Sequence, residues 1–265
     1  MLSPRALRAS AASALLLLSP ALVSSQQATQ QPHSIPSAAP APGRAKVPFG
    51  VGEQAQYEVK FGPVTMGSGT MEVASVDMVR GHETYRTIFR VKGGPFFFKV
   101  DDRLESWIDT HTLSSLRHRQ DLNEGSRDRE RNFEIFPERA TFSEDGKPEE
   151  PSVANPLDDG SFMFFVRTLP LEVGKTYEFT RYFRPDRNPV KIQVLRKERI
   201  TVPAGTFDAI VVRPIIKAKG IFSENGQAEV WLSDDAQRVM LQMKSKFARI
   251  SISLYLKSYR PATNP

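Results

Sequence analysis

The chain has 265 residues, a formal net charge of +6 and no cysteine. The missing thiols exclude disulfides, thiolate catalysis, cysteine-ligated zinc and the lipidated cysteine of a bacterial lipoprotein. The basic excess is mild, and acidic residues such as Asp128, Glu130 and Asp186 interleave with the arginines around them. That pattern reads as the solvated face of a sheet rather than a nucleic-acid groove, with at most a weak pull toward anionic lipid or polysaccharide.

Residues 1–25 read as a cleavable signal peptide. Arg5 and Arg8 form a basic start, Ala11–Leu18 is apolar apart from Ser13, and Pro20 ends any helix. The apolar run is shorter than the roughly 20 residues that a membrane span needs, and Val23-Ser24-Ser25 supplies the small residues at which a signal peptidase cuts. Cleavage after Ser25 removes two arginines and takes the formal charge from +6 to +4. No later stretch is long and apolar enough for a membrane helix. The expected location is the periplasm or the exterior.

Residues 26–45 are rich in proline and glutamine and poor in apolar side chains, so they cannot offset their own conformational entropy. They read as a disordered tether. The folded part is expected over residues 46–260 as a single β domain, with halves 46–150 and 170–260 joined by residues 151–169.

Period-2 alternation dominates that domain. Tyr57, Val59 and Phe61 alternate with Glu58 and Lys60, and Ile250, Ile252, Leu254 and Leu256 alternate with Ser251, Ser253 and Tyr255. Ile192 and Val194 alternate less cleanly with Lys191, Gln193 and Leu195. Gly62-Pro63, Gly93-Gly94-Pro95, Glu144-Asp145-Gly146 and Pro203-Ala204-Gly205 punctuate the runs, and Asn225-Gly226 favours a tight hairpin. About thirteen strands are predicted in an all-β fold, a large antiparallel barrel or half-barrel.

Residues 156–170 break the alternation. Asp158 or Asp159 can cap a helix that carries Phe162, Phe164 and Phe165 and ends near Leu169-Pro170. A buried strand is the rival reading. Such a helix would plug or cover the sheet.

A weak repeat joins the two halves. Pro48-Phe49-x-Val51-Gly52 is echoed by Pro170-Leu171-x-Val173-Gly174, and Tyr57-Glu58-Val59 by Tyr177-Glu178-Phe179. Glu105-x-Trp107-Ile108 is echoed 124 residues later by Glu229-x-Trp231-Leu232. Two similar meanders are implied, each with an unpaired edge when alone.

Catalytic signatures are missing. The four histidines, His33, His82, His111 and His118, have no metal-ligand spacing, and no nucleophile elbow, Walker loop or dinucleotide fingerprint occurs. No metal or cofactor is implied. The acidic doublets Asp101-Asp102 and Asp234-Asp235 lie near the two tryptophans and could serve paired-carboxylate chemistry, or else cap turns and form salt bridges. Trp107 and Trp231 are core or rim residues, with sugar stacking as the sharper alternative. Phe96, Phe98 and Phe164 would line a lumen that accepts an apolar ligand, or fill a solid core. Trp107, Trp231, Phe96, Phe98, Phe164, Asp102 and Asp234 are therefore the candidate binding residues, with no catalytic residue assigned.

Five stretches carry a resemblance to an exported bacterial family known only as domain of unknown function 3108. They are Pro48-Phe49…Glu53…Tyr57-Glu58-Val59, Asp101–Ser106, Arg167-Thr168-Leu169-Pro170, Val202–Phe207 and Val230–Asp235. The resemblance implies an exported, mostly antiparallel β fold with barrel-like curvature, and implies no activity. The function expected is a non-enzymatic envelope module that binds an apolar or glycan ligand or a protein partner. The alternatives are an envelope glycan hydrolase using the paired aspartates and a structural or assembly factor.

Overall fold

The computed structural model describes residues 33–34, 43–94, 99–217, 228–247 and 250–263. In chain order the strands are β1 (His33–Ser34), β2 (Gln54–Phe61), β3 (Val64–Val79), β4 (His82–Gly93), β5 (Val100–Asp109), β6 (Ser115–Glu124), β7 (Arg127–Phe136), β8 (Thr141–Glu144) and β9 (Glu150–Pro151). After helix α1 (Ser161–Val166) come β10 (Thr176–Phe179), β11 (Val190–Val202), β12 (Gly205–Ile215), β13 (Glu229–Ser233), β14 (Met240–Phe247) and β15 (Ile250–Arg260). Two of these fifteen strands, β1 and β9, are two residues long, which leaves the thirteen that the alternation predicts.

All belong to one sheet, in the order β1-β10-β11-β12-β13-β14-β15-β2 and on to β9. Every pairing is antiparallel except β1 with β10. The last strand pairs with the first long one, so β15–β2 is the seam between the two halves, and β1 and β9 are the edges. β1 lies within the segment read as a tether. The chain is anchored from Arg44 onward, by the Arg44–Glu83 ion pair (3.0 Å) and by the Ala45 amide donating to the carbonyl of Thr110 (2.8 Å).

The alternating residues point where the pattern puts them. Tyr57, Val59, Leu254, Leu256, Ile192 and Val194 are buried on the inner face. Bulges interrupt β3 between Val73 and Ser75 and β11 between Val194 and Arg196. An extra residue on one strand bends it and increases its twist, which curves the sheet around α1.

α1 is the plug, shorter than predicted. Phe162 and Phe164 are 1% exposed and Val166 is 0% exposed, so these rings fill the space between the halves. The Asp158 carboxylate accepts the N–H groups of Gly160 and Ser161, both at 2.8 Å, which satisfies donors that the first turn leaves free. The helix tightens after Val166, where Thr168 N–H donates to Phe165 and Leu169 N–H to Val166. Pro170 follows. The buried-strand reading is wrong here because the Phe162 N–H donates to the Asp158 carbonyl four residues back, and the consecutive residues Phe162, Met163 and Phe164 are all buried, as on a short helix enclosed by the sheet. The Asn225-Gly226 pair lies outside the described residues.

Candidate functional site

At one end of the sheet, four segments meet around a cleft of about 590 Å³. They are the chain entering β2, the turn after α1, the β13–β14 turn and the chain leaving β15. Three of the five stretches that carry the family resemblance contribute to it, through Phe49 and Glu53, Arg167 and Thr168, and Asp235.

The floor is a buried ion pair. Arg167 meets Glu53 in a bidentate fork, Nη1 to Oε1 at 2.6 Å and Nη2 to Oε2 at 3.1 Å. Arg167 also donates to the carbonyls of Gln237 and Pro48. Its guanidinium lies 5.5 Å from the Phe49 ring and 5.8 Å from that of Phe164. Planar forks of this kind are the strong form of ion pairing, and Arg is the residue that makes them. Tyr259 donates its hydroxyl to Glu53 at 3.3 Å, and burial together with the Glu53 charge pushes its phenol up to about 12. Asp235 accepts from Ser233 Oγ, Gln237 N–H and Arg238 N–H, which shapes the turn that offers the Gln237 carbonyl. Every polar group of the floor is thus committed within the protein. The walls mix apolar side chains, Val47, Pro48, Pro261 and Ala262, with the polar Thr168, Arg238 and Lys46, and Lys46 has no acidic partner among the described residues.

The residues singled out from sequence do not assemble there. Trp107 and Trp231 lie on the outer face, yet are only 5% and 4% exposed, because cations cover them. Arg86, Arg117 and Arg119 surround Trp107 at 5.3–5.5 Å, and Lys244 and Arg196 flank Trp231 at 5.3 and 5.8 Å. Phe164 is packed edge-on against Phe49 in the core. Phe96 and Phe98 lie outside the described residues. Asp101 points outward to Arg90 and Lys92, while Asp102 points inward beside Val91 and Leu122. Burial, reinforced by Glu124, pushes the Asp102 carboxyl up to about 6. Asp234 sits just past the far end of β13, where hydrogen bonds from Lys197 and Arg238 hold its carboxyl below the usual range. The two doublets therefore sit at opposite ends of their strands, and no two of these aspartates face one cleft.

The sequence matches the family described as proteins of unknown function, DUF3108, over residues 56–256. The chain belongs to that family. No curated protein matches this DUF3108 chain. Its fold is similar to that of a beta-barrel-like protein of domain of unknown function DUF1849 from Brucella abortus. The two are 10% identical with a TM-score of 0.55, over 82% of this chain and 99% of that one. Weaker likenesses, at TM-scores of 0.36 and 0.30, extend to a protein provisionally classed as a lipoprotein from Parabacteroides distasonis and one provisionally classed as exported, with a YmcC-like fold, from Bacteroides fragilis. They are 12% and 11% identical, over 81% and 82% of this chain and 98% and 100% of theirs.

One cluster in the DUF3108 chain escaped sequence reasoning. Ser106, His118 and Asp158 come together from β5, β6 and the entry to α1, all 0% exposed. The constellation has the residue types of a catalytic triad but not the roles. Ser106 donates its hydroxyl to Asp158 Oδ1 at 2.5 Å, not to the imidazole. His118 Nδ1 is 2.9 Å from the Glu105 carbonyl, which can only accept, so the proton sits on Nδ1. Nε2 then accepts from Gln120, which also donates to Asp159. A triad needs the serine proton to pass to histidine beside an open substrate site, whereas here the groups pin α1 to the sheet. Three residues so far apart in the chain leave no local signal.

Proposed function

We propose that this chain is an exported, non-enzymatic binding module of the cell envelope, and that its ligand is a small amphiphile seated in the end cleft. The observation that carries the reading is the contrast within that cleft. Its floor is saturated with internal hydrogen bonds, which commit Glu53, Arg167 and Tyr259 to one another, while Val47, Pro48, Pro261 and Ala262 give its walls an apolar side and Lys46 a cationic one. The volume falls within the several hundred Å³ usual for small-molecule sites. Residues 1–25 serve as the export leader and residues 26–43, paired to the sheet edge at His33-Ser34, as a tether that separates the domain from the cleavage site. No helix among the described residues is long and apolar enough to cross a membrane.

The test is native mass spectrometry of the protein purified from its own envelope, beside an Ala262→Trp variant that fills the cleft. A lipid-sized adduct retained by the parent and lost from the variant is the expected result. A ligand-free parent, or an adduct that the variant keeps, would overturn the reading. A retained glycan would move the ligand class from amphiphile to sugar.

A further inference from the structure

Most of the arginines packed into this fold among the described residues have a carboxylate partner, and Arg181 does not. Arg167 pairs with Glu53, Arg184 with Glu144 and Arg86 with Glu105. Arg181, half-buried in the β10–β11 connection, has no carboxylate within ion-pair distance among the described residues. Its Nε donates to the carbonyl of Asn155 at 2.7 Å, and its Nη2 to those of Leu113 and Thr112 at 3.2 and 3.5 Å. Nη1 has no protein partner among the described residues. The guanidinium lies over the Phe165 ring at 4.5 Å, and the backbone is held by Leu157 N–H donating to the Arg181 carbonyl at 2.5 Å.

Carbonyl oxygens satisfy hydrogen bonds but carry no net charge. The cation is therefore desolvated without a counter-charge, an arrangement that proteins otherwise avoid. Burial alone lowers the guanidinium to about 10, and no neighbouring charge offsets it. A guanidinium held over an aromatic ring with its Nη1 N–H groups free is suited to donate charge-assisted hydrogen bonds to an anion.

Two segments lead from Arg181 to the end cleft. Phe165 lies under the guanidinium, and Thr168, three residues on and bonded back to the Phe165 carbonyl, lines the cleft. On the other side Thr112 and Leu113 accept from Arg181, and the neighbouring Thr110 carbonyl accepts from Ala45, next to the cleft residue Lys46. We propose that Arg181 binds the anionic group, a carboxylate or a phosphate, of the amphiphile whose apolar part occupies the cleft. The proposal rests on the cleft reading above and adds the charge of the ligand.

The experiment compares dodecanoate, dodecyl phosphate and dodecanol binding to the full mature chain, to Arg181→Gln, to Arg181→Lys and to Ala262→Trp. The parent should prefer the acids to the alcohol by about tenfold or more, since charge-assisted hydrogen bonds are the stronger ones. Arg181→Gln should erase that preference and leave dodecanol binding unchanged, and Arg181→Lys should retain part of it. The better of the two acids identifies the head group. Equal affinity of the parent for acid and alcohol would overturn the role of Arg181 while leaving the cleft reading intact. Binding of all three that survives Ala262→Trp would overturn the cleft reading instead.

The second measurement needs no variant. Inorganic phosphate is titrated into the parent while the arginine Nε–Hε resonances are followed. A saturable shift confined to Arg181 supports the anion site even if no amphiphile binds. A uniform drift of all the arginines, as ionic strength alone produces, would overturn it.

Discussion

Trp107 and Trp231 hold the same place in two successive meanders. Each is the last residue before its partner strand bulges, at Leu116 in β6 and at Leu241 in β14. Each donates its indole N–H to an acid two strands away, Trp107 to Asp77 at 2.9 Å and Trp231 to Glu198 at 2.5 Å. The acids are themselves equivalent, since each follows the bulge in β3 or β11. The halves thus share geometry as well as motif, and their bonds should be worth similar amounts. Double-mutant cycles of Trp107→Phe with Asp77→Ala and of Trp231→Phe with Glu198→Ala should each give a coupling of about 1 kcal/mol in urea denaturation. A coupling near zero in one half would mean that the duplication extends to the backbone only.

The Arg167–Glu53 pair should be costly to break and cheap to replace. Either Arg167→Met or Glu53→Leu alone leaves a buried charge without its partner, and each should destabilise by about 3–5 kcal/mol. The double variant should lose much less than the sum, because two apolar side chains fill the space without stranding a charge. Equilibrium unfolding of the four proteins measures this. Additive losses would show that the carbonyl bonds of Arg167 matter more than the pair.

What the sequence made legible was whatever repeats every two residues or clusters locally. The inward faces of β2 and β15 follow directly from Tyr57-x-Val59 and Leu254-x-Leu256. Phe162 and Phe164 marked the plug, although its length depended on the tightening after Val166, which no residue type announces. The cleft was not legible as a site. Glu53 and Arg167 are 114 residues apart, and only the β15–β2 seam and the turn after α1 bring them together. The aspartate doublets stand out as adjacent acids, but adjacency in β5 puts Asp101 and Asp102 on opposite faces, and Asp234 and Asp235 lie in the turn after β13. Arg181 gave no signal, because its distinguishing property is a partner that it lacks.

Asp102 should make stability fall as pH rises. Its folded-state pKa of about 6 lies above its ordinary value of 3.8. Between those values the native state binds more protons than the unfolded chain, so the slope of unfolding free energy against pH is negative. The favourable contribution is full below about pH 4 and is lost as pH passes about 6. Asp102→Asn should flatten this step and stabilise the protein above pH 6 by up to about 1 kcal/mol, after allowing for solvent screening at a half-buried site. Denaturation midpoints of both proteins from pH 4 to pH 8 check the sign, and a variant that parallels its parent throughout would refute it.

Gly160 and Ser106 should show a suppressor relationship. A methyl group at Gly160 would collide with Ser106 Oγ, while its next contacts, Asp158 Oδ1 and Ser106 Cβ, are at an ordinary 3.5 and 3.6 Å. Backbone strain is not the issue, since φ at Gly160 is −85°. The hydroxyl cannot easily turn away, because it is held by Asp158 Oδ1, which also receives the Gly160 and Ser161 amides. Gly160→Ala should therefore cost about 1–3 kcal/mol through overpacking and the lost hydroxyl bond. Ser106→Ala alone should cost about 1–2 kcal/mol, because Asp158 keeps its amide partners. Combined, the two should destabilise by clearly less than their sum, since removing the hydroxyl removes the collision as well. If the costs simply add, α1 yields to the methyl group by shifting bodily, and the Ser106–Asp158 bond is not what fixes the plug.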